Sequence, residues 1–360
     1  MTDSIESIPP GKTIGILGGG QLGRMLALAA APLGYRVHVF APEAEQVAAD
    51  VSALAIRADY SDRVALMAFA SGVDVITYEF ENVPSESVAF LETLKPVRPG
   101  HRALDVAQDR LREKQFVKGL GGSPAPFREV ESLADLEAGL AALGTPAILK
   151  TRRLGYDGKG QVRIDNPADA ASAFASLGGK GLILEGFVRF GSEFSIIVAR
   201  CPNGREQHFP ACHNHHVDGI LSESRVPAAS LDPAHVAEAT DLVVRIADAL
   251  DFVGVLTCEF FACSTGPVFN EMAPRVHNSG HWTIEGAQTS QFEQHIRAIC
   301  ALPLGPVGLL APAIEMRNLL GSDIDGWASV LADPSAHLHL YGKSEAAPGR
   351  KMGHVTRLRF

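Results

Sequence analysis

The run VGVLTCEFFACSTGPVFNEMAPRVHNSGHW, residues 253–282, decides how the rest of the chain is read. Two apolar runs, 254–262 and 267–272, flank Cys263-Ser264-Thr265-Gly266. This pattern predicts a β-hairpin whose turn is supplied by Ser, Thr and Gly. Each strand carries a carboxylate where alternation favours an apolar residue: Glu259 in the first, and Glu271 after Asn270 in the second. Antiparallel pairing brings the two acids close together. Two carboxylates and an amide oxygen in one place repel unless a cation sits between them, and an oxygen-only donor set suits magnesium bridging nucleotide phosphates. A single Glu on an edge strand reads as surface charge. A pair followed at once by Arg275, His277, Asn278 and His281 reads as a site.

Bulk properties limit what that site can serve. At 360 residues the chain is long enough for two or three domains with substantial cores. Its 46% hydrophobic and 20% charged content is ordinary for a globular protein. The net charge of −9 argues against a nucleic-acid binder, although local Lys/Arg clusters can still bind anionic substrates. Five cysteines with no CxxC spacing indicate a reducing compartment. The polar start MTDSIESIPPGK has no apolar signal core and looks disordered, and no apolar run approaches the ~20 residues that span a bilayer. A cytoplasmic protein with no membrane partner is expected.

Towards the N-terminus, a strand over 13–17, the turn Gly18-Gly19-Gly20-Gln21-Leu22-Gly23, a helix over 24–33 and a strand over 36–40 open a doubly wound fold. Gly18-x-Gly20-x-x-Gly23 matches the dinucleotide fingerprint, but the second strand ends Phe40-Ala41-Pro42 without the acid that holds a ribose hydroxyl, which argues against NAD. A helix N-terminus with exposed N–H groups remains, a potential phosphate seat. A helix over 59–70 and a buried strand over 73–77 follow, ending in Tyr78-Glu79-Phe80-Glu81. Ligands bind past the C-terminal ends of such strands, so Glu79 is a candidate for a ligand hydroxyl; it also suits the N-terminal turn of the helix after Pro84.

The middle of the chain predicts a smaller α+β unit: helices over 132–143 and 167–177, strands over 147–150 and 181–185. A charged helix over 103–120 precedes it, mostly solvated, with one cation turned inward. Between the first strand and the second helix lies Gly155-Tyr156-Asp157-Gly158-Lys159-Gly160-Gln161. Glycines interleaved with cations have the composition of a phosphate-gripping lid, although the P-loop pattern is absent; an ordinary glycine-rich hairpin turn is the plainer alternative. Lys150, at the end of an apolar strand, would be costly to bury without an anion. Beyond it come strands over 194–200 and 206–213, His213-Asn214-His215-His216, and helices over 233–250 and 286–300. Adjacent histidines on a strand face opposite ways and no second ligand pair stands at zinc spacing, so one histidine contacting a ligand is the better reading. After a strand over 337–340, Lys343 and Pro348-Gly349-Arg350-Lys351 group cations around glycines as an anion site would.

Together these pieces resemble the ATP-grasp superfamily, and within it the 5-(carboxyamino)imidazole ribonucleotide synthases of purine biosynthesis, the ATPase subunit of phosphoribosylaminoimidazole carboxylase. GGGQLGRM (18–25), YEFENVP (78–84), GYDGKGQ (155–161), HNHHVDGI (213–220), NEMAPRVHNSGHWT (270–283) and PGRKMGH (348–354) carry the resemblance. Ala347 departs from it, standing where an arginine is common. The resemblance implies an ATP-grasp fold, mixed α/β and α+β, with an N-terminal Rossmann-like domain over 1–104, a lid domain over 105–190 and a large domain over 191–360. It implies that Arg110, Lys150 and Gly155–Gln161 hold ATP phosphates. Glu185, Gly186, Phe187 and Val188 would bind adenine through their backbone, and Glu193 the ribose. His216 and Asn270 would complete the nucleotide site, with Glu259 and Glu271 on magnesium, two ions in all. The ribonucleotide would lie on Gln21, Leu22 and Glu79 with its phosphate on Lys343 and Arg350. Tyr156, Asp157, Lys159, Arg275, His277 and Asn278 would surround the reacting centre, with Asp157 and His277 handling protons. Bicarbonate as co-substrate and a homodimer are implied as well.

Three other readings are weaker. A formate-using phosphoribosylglycinamide transformylase shares the grasp but lacks the HNSGHW and PGRKMGH stretches. A nicotinamide-dependent dehydrogenase rests on residues 18–23 alone. A non-catalytic nucleotide sensor is expected to lack a metal acid or the lid, and this chain keeps both.

Overall fold

The computed structural model describes residues 6–155 and 159–360. From Thr13 to Tyr78 short buried runs alternate with helical ones: β1 (Thr13–Leu17), α1 (Gln21–Ala30), β2 (Arg36–Ala41), β3 (Leu54–Arg57), α2 (Arg63–Ser71) and β4 (Val75–Tyr78). The strands form a parallel sheet in the order β3-β2-β1-β4, with β1 and β4 buried along their whole length, as strands covered on both faces are. Helices α3 (Ser85–Glu92), α4 (His101–Ala107) and α5 (Arg110–Gly119) lead away from it.

A second sheet, β5-β8-β6-β7, is antiparallel and has its own apolar cluster around Val130, Leu149 and Leu184. Its elements are β5 (Phe127–Val130), α6 (Leu133–Leu143), β6 (Ala147–Thr151), β7 (Gln161–Ile164), α7 (Ala170–Ser176) and β8 (Leu182–Gly186). The glycine-rich segment is the connection between β6 and β7, whose ends pair Lys150 with Gln161.

The third sheet is built from β9 (Ser192–Arg200), β10 (Glu206–His208), β11 (Cys212–Val217), β12 (Ile220–Val226), β13 (Gly254–Cys263) and β14 (Gly266–Ala273). Helix α8 (Pro233–Ala249) precedes the hairpin β13–β14, and α9 (Thr283–Gly286) and α10 (Gln291–Ile299) follow it. The chain closes with β15 (Ala313–Leu320), α11 (Trp327–Leu331), β16 (Ala336–Leu340) and β17 (Lys351–Arg359). Strand order is β14-β13-β9-β11-β12-β15-β17-β16, with β10 on β9, so the hairpin forms one edge. One apolar core joins this sheet to the first: Ile14, Val39 and Leu26 belong to the same cluster as Ile197, Trp282 and Ile296.

Several expected boundaries move, each for a local reason. The helix expected from residue 59 begins at Arg63, because Asp62 caps it by accepting the Val64 and Ala65 N–H groups. The single helix expected over 103–120 is two, α4 and α5, since Asp109 starts a new one by accepting from Leu111. The helix expected over 286–300 begins at Gln291 behind the Ser290 cap. Residues 206–213 are not one strand; Phe209–Ala211 separate β10 from β11. The leader is not loose from Ile8 onward: Ile8 N–H donates to Cys300 C=O at 2.9 Å and Tyr35 Oη donates to Ile8 C=O.

Candidate active site

A cleft of about 930 Å³ opens where the three sheets meet. Its walls are the glycine turn after β1, the segment after β4, α5, the hairpin with its trailing loop, and the C-terminal loop before β17. It brings together all eight residues expected around the ribonucleotide: Gln21, Leu22, Glu79, Arg275, His277, Asn278, Lys343 and Arg350. Arg110, Gly155, Lys159 and Glu271 line it too. Tyr156, Asp157 and Gly158 lie outside the described residues.

The hairpin pairs as its sequence predicts. Glu259 and Glu271 are direct cross-strand partners, with a bulge at Glu259/Phe260. Burial, and then the facing charge of Glu271, push the Glu259 carboxyl up to about 7. Two carboxylates that resist joint ionisation are a donor set that a divalent cation fits, in the manner of magnesium sites that use one or two carboxylates and leave other positions to water and substrate phosphates. His277 Nε2 lies 3.7 Å from Glu259 Oε1. Its Nδ1 accepts the Ser279 N–H at 3.3 Å, which assigns the proton of the neutral ring to Nε2. Burial, then the Arg275 charge, hold the His277 pKa well below the ordinary imidazole value. His277 is therefore a neutral donor facing the carboxylates. Arg275 pairs through Nε with Glu81 and through a terminal nitrogen with Val276 C=O at 2.9 Å.

On the nucleotide side of the hairpin, Lys150 Nζ meets Glu185 Oε2 at 2.9 Å and Glu193 pairs with His216. Burial disfavours the Glu185 anion, but Lys114 and Lys150 outweigh it and hold its carboxyl at about 2. Glu185 thus spends its side chain on lysines, leaving only its backbone for the adenine contact expected of it. That backbone stretch is partly engaged already: Gly186 N–H donates to Pro126 C=O at 2.8 Å, and Phe187 N–H to Pro146 C=O. Gly160 and Gln161 sit at the β7 end of the loop, Val188 follows β8, and Asn270 lies beside Glu271 on β14.

Three expectations need correction. The glycine turn is not an open phosphate seat: Glu79 Oε1 accepts the Gly20 N–H at 2.7 Å, so the N-terminus of α1 already holds a carboxylate. Glu79 accordingly caps α1, not the helix after Pro84. Asn278 keeps its place in the cleft lining while its carboxamide exchanges bonds of 2.9 and 2.7 Å with Asn318. Helix α5 is not mainly a solvated face, because Glu113 and Lys114 are 2% and 1% exposed.

Sequence reading missed Glu81, Glu113, Lys114 and Glu45. Glu45 accepts from Ser344 N–H at 2.7 Å and from Arg350, tying the end of β2 to the C-terminal loop. For α5 a signal existed: Arg110, Glu113 and Lys114 stand at i, i+3 and i+4, one helix face.

A parallel first sheet, an antiparallel lid sheet and a metal-type carboxylate pair on the hairpin of a third sheet define the ATP-grasp class. Family models agree: a ribonucleotide synthetase preATP-grasp domain matches residues 11–108, an ATP-grasp domain 115–292, and a phosphoribosylaminoimidazole carboxylase C-terminal domain 315–359. The N5-carboxyaminoimidazole ribonucleotide synthase of Brucella melitensis is 49% identical over 98% of each chain, and that of Pseudomonas aeruginosa 48% over 95% of this chain and 93% of its own. The crystal structure of the Thermus thermophilus synthetase superposes with a TM-score of 0.91 at 49% identity, covering 96% of this chain and 93% of that one. The Aspergillus clavatus synthase in complex with ADP and 5-aminoimidazole ribonucleotide superposes with a TM-score of 0.90 at 30% identity, covering 97% and 94%. The chain belongs to the N5-carboxyaminoimidazole ribonucleotide synthase family.

Proposed function

We propose that this chain catalyses the ATP- and bicarbonate-dependent N-carboxylation of 5-aminoimidazole ribonucleotide, giving N5-carboxyaminoimidazole ribonucleotide, ADP and phosphate. The observation that carries this reading is the cleft itself, which gathers Lys343, Arg350, Arg275 and His277 in one lining with the hairpin acid Glu271. A bicarbonate oxygen attacks the γ-phosphorus and the bond to ADP breaks, giving carboxyphosphate. The exocyclic amine then attacks the carboxyl carbon, either of carboxyphosphate as phosphate leaves or of carbon dioxide that carboxyphosphate has already released with phosphate, and the amine's proton passes to a base. Such transfers need positioning and charge neutralisation more than covalent help. Lys150, Arg110 and the lid loop serve the phosphates; Arg275 serves the transferring group, and the His277 Nε2–H orients the carboxyl oxygens. Magnesium on Glu259 and Glu271 would neutralise phosphate charge. Adenine would take the Glu185–Val188 backbone, and the ribose hydroxyls Glu193 beside His216. Asn278 acts through its lock on Asn318, which fixes the loop carrying His277.

A cytoplasmic setting and a homodimer belong to the same proposal. The five cysteines are free and, among the described residues, no helix is long and apolar enough to cross a membrane. Light scattering of the purified chain checks the dimer. The decisive experiment measures ADP release with 5-aminoimidazole ribonucleotide and bicarbonate each omitted in turn. Release should require both; release indifferent to the ribonucleotide, or supported by formate in place of bicarbonate, overturns the reading.

A further inference from the structure

Strand β14 ends the third sheet, and its metal-side residue Glu271 sits on that edge strand. Edge strands expose unpaired backbone groups and hold their side chains less firmly than central ones. Here α5 covers the edge with three side chains from one helical face, and they reach three consecutive residues of β14. Arg110 donates to the Glu271 carboxylate at 3.1 Å. Glu113 accepts the Met272 N–H at 2.7 Å, and Lys114 Nζ donates to Asn270 C=O at 3.1 Å. The same Lys114 lies 3.3 Å from Glu185, which in turn holds Lys150. Helix α5 therefore touches the peptide groups on either side of the metal-side carboxylate and, through one more carboxylate, the lysine of the lid sheet.

Buried ionisable groups are expensive unless they are paired or bonded, and a well-packed apolar face would cover an edge strand at less cost. The polar pair at 113–114 is what lets α5 bond to the backbone of β14 and to Glu185 together. We infer that Glu113 and Lys114 are positioning residues: they fix Glu271 in register and set its separation from Lys150, so that metal and phosphate are gripped at a fixed spacing. This rests on the reading of Glu271 as a metal carboxylate. Glu113 acts as a hydrogen-bond acceptor, not as a charge. In agreement, burial pushes its carboxyl up to about 8 against the pull of Lys114.

The test is the magnesium dependence of ADP binding to the full chain, read by calorimetry, and beside it the magnesium dependence of ADP release at saturating ribonucleotide and bicarbonate. Glu271→Gln tests the reading beneath the inference and should raise the magnesium half-saturation roughly tenfold, the loss of one ligand or its immediate support. Glu113→Asp keeps the carboxyl group but withdraws it from the Met272 N–H, and it should raise the magnesium half-saturation and the ATP KM several-fold. Glu113→Gln keeps an acceptor and should restore both relative to Glu113→Asp. Lys114→Met should raise both constants and leave the ribonucleotide KM within twofold. An unchanged magnesium dependence in Glu271→Gln overturns the metal reading. A shifted Glu271→Gln with unshifted Glu113→Asp overturns the positioning role alone, as does Glu113→Gln being worse than Glu113→Asp. Should Lys114→Met fail to fold, the two Glu113 variants decide.

Discussion

Lys343 is half-buried in the loop before β17, its Nζ donating to Lys351 C=O at 2.8 Å, and burial, then the neighbouring Arg350, lower its pKa to about 8. On the proposed function the ribonucleotide's phosphate dianion would need that lysine charged. The KM for the ribonucleotide should therefore rise as pH passes upward through about 8, by roughly tenfold between pH 7 and 9 if Lys343 supplies one full contact. The sign for stability is the opposite. A lysine whose folded pKa lies below its unfolded value destabilises the free protein at low pH, and that cost is relieved as pH rises from about 8 towards the unfolded value. Lys343→Arg keeps its charge throughout and should flatten the KM profile, whatever its effect on the absolute value; a profile that keeps its rise in this variant rules Lys343 out as the cause. Arg275 stands differently. Its pairing with Glu81 aims it at the centre of the cleft, so Arg275→Ala should lower kcat on the order of a hundredfold or more while calorimetry shows ADP still bound. Unchanged turnover would remove Arg275 from the reacting centre.

At the scale of elements, the hairpin was legible because alternation, turn residues and two misplaced acids coincide within twenty residues of sequence. The glycine turn was legible as a turn but not in its purpose, since its partner Glu79 comes from another strand, 59 positions away. The close approach that a dinucleotide would need has been given to a carboxylate of the chain itself. A Cβ on Gly20 would stand 2.8 Å from Glu79 Oε1, and one on Gly18, at φ +113°, 2.6 Å from Glu79 Cγ. Gly20→Ala should therefore push Glu79 off the α1 N-terminus, cost about 1–3 kcal/mol of stability by denaturant titration, and raise the ribonucleotide KM with little change for ATP. An ATP-specific defect would mean that the turn serves the nucleotide after all. Helix α5 was the least legible element. Its inward residues are charged, so periodicity of apolar residues passes over them, and their partners on β14 lie more than 150 positions away. Strands β15 and β17 escaped reading as well, although they pair along eight residues beside a core they help to build.

In the whole molecule the three sheets are not equivalent. The first and third share one apolar core, with Ile14, Val39 and Leu26 packed in the same cluster as Ile197, Trp282 and Ile296. The lid sheet packs its apolar residues within 130–184 and joins the remainder mostly through polar links, among them Lys114–Glu185 and Arg152–Asp109. Apolar burial is the main stabilising term in folding, and buried ion pairs return little beyond the cost of desolvating them. The lid sheet should thus open as a unit at lower free energy than the other two, which is what the proposed function asks of a domain that would admit ATP and then exclude water from carboxyphosphate. Hydrogen exchange measures this directly. In the free protein the amides of Ala147–Thr151 and Leu182–Gly186 should exchange through a common opening, ahead of those of Thr13–Leu17 and Gly254–Cys263. On the proposed function magnesium–ADP would bind across the lid and the hairpin, and linkage would confine its stabilisation to openings that break the site. Protection should therefore grow roughly tenfold or more in the lid strands at saturating nucleotide, and much less in the shared core. Equal protection in all three sheets would instead mean that they unfold as one body, with the lid's separate cluster of no consequence for motion.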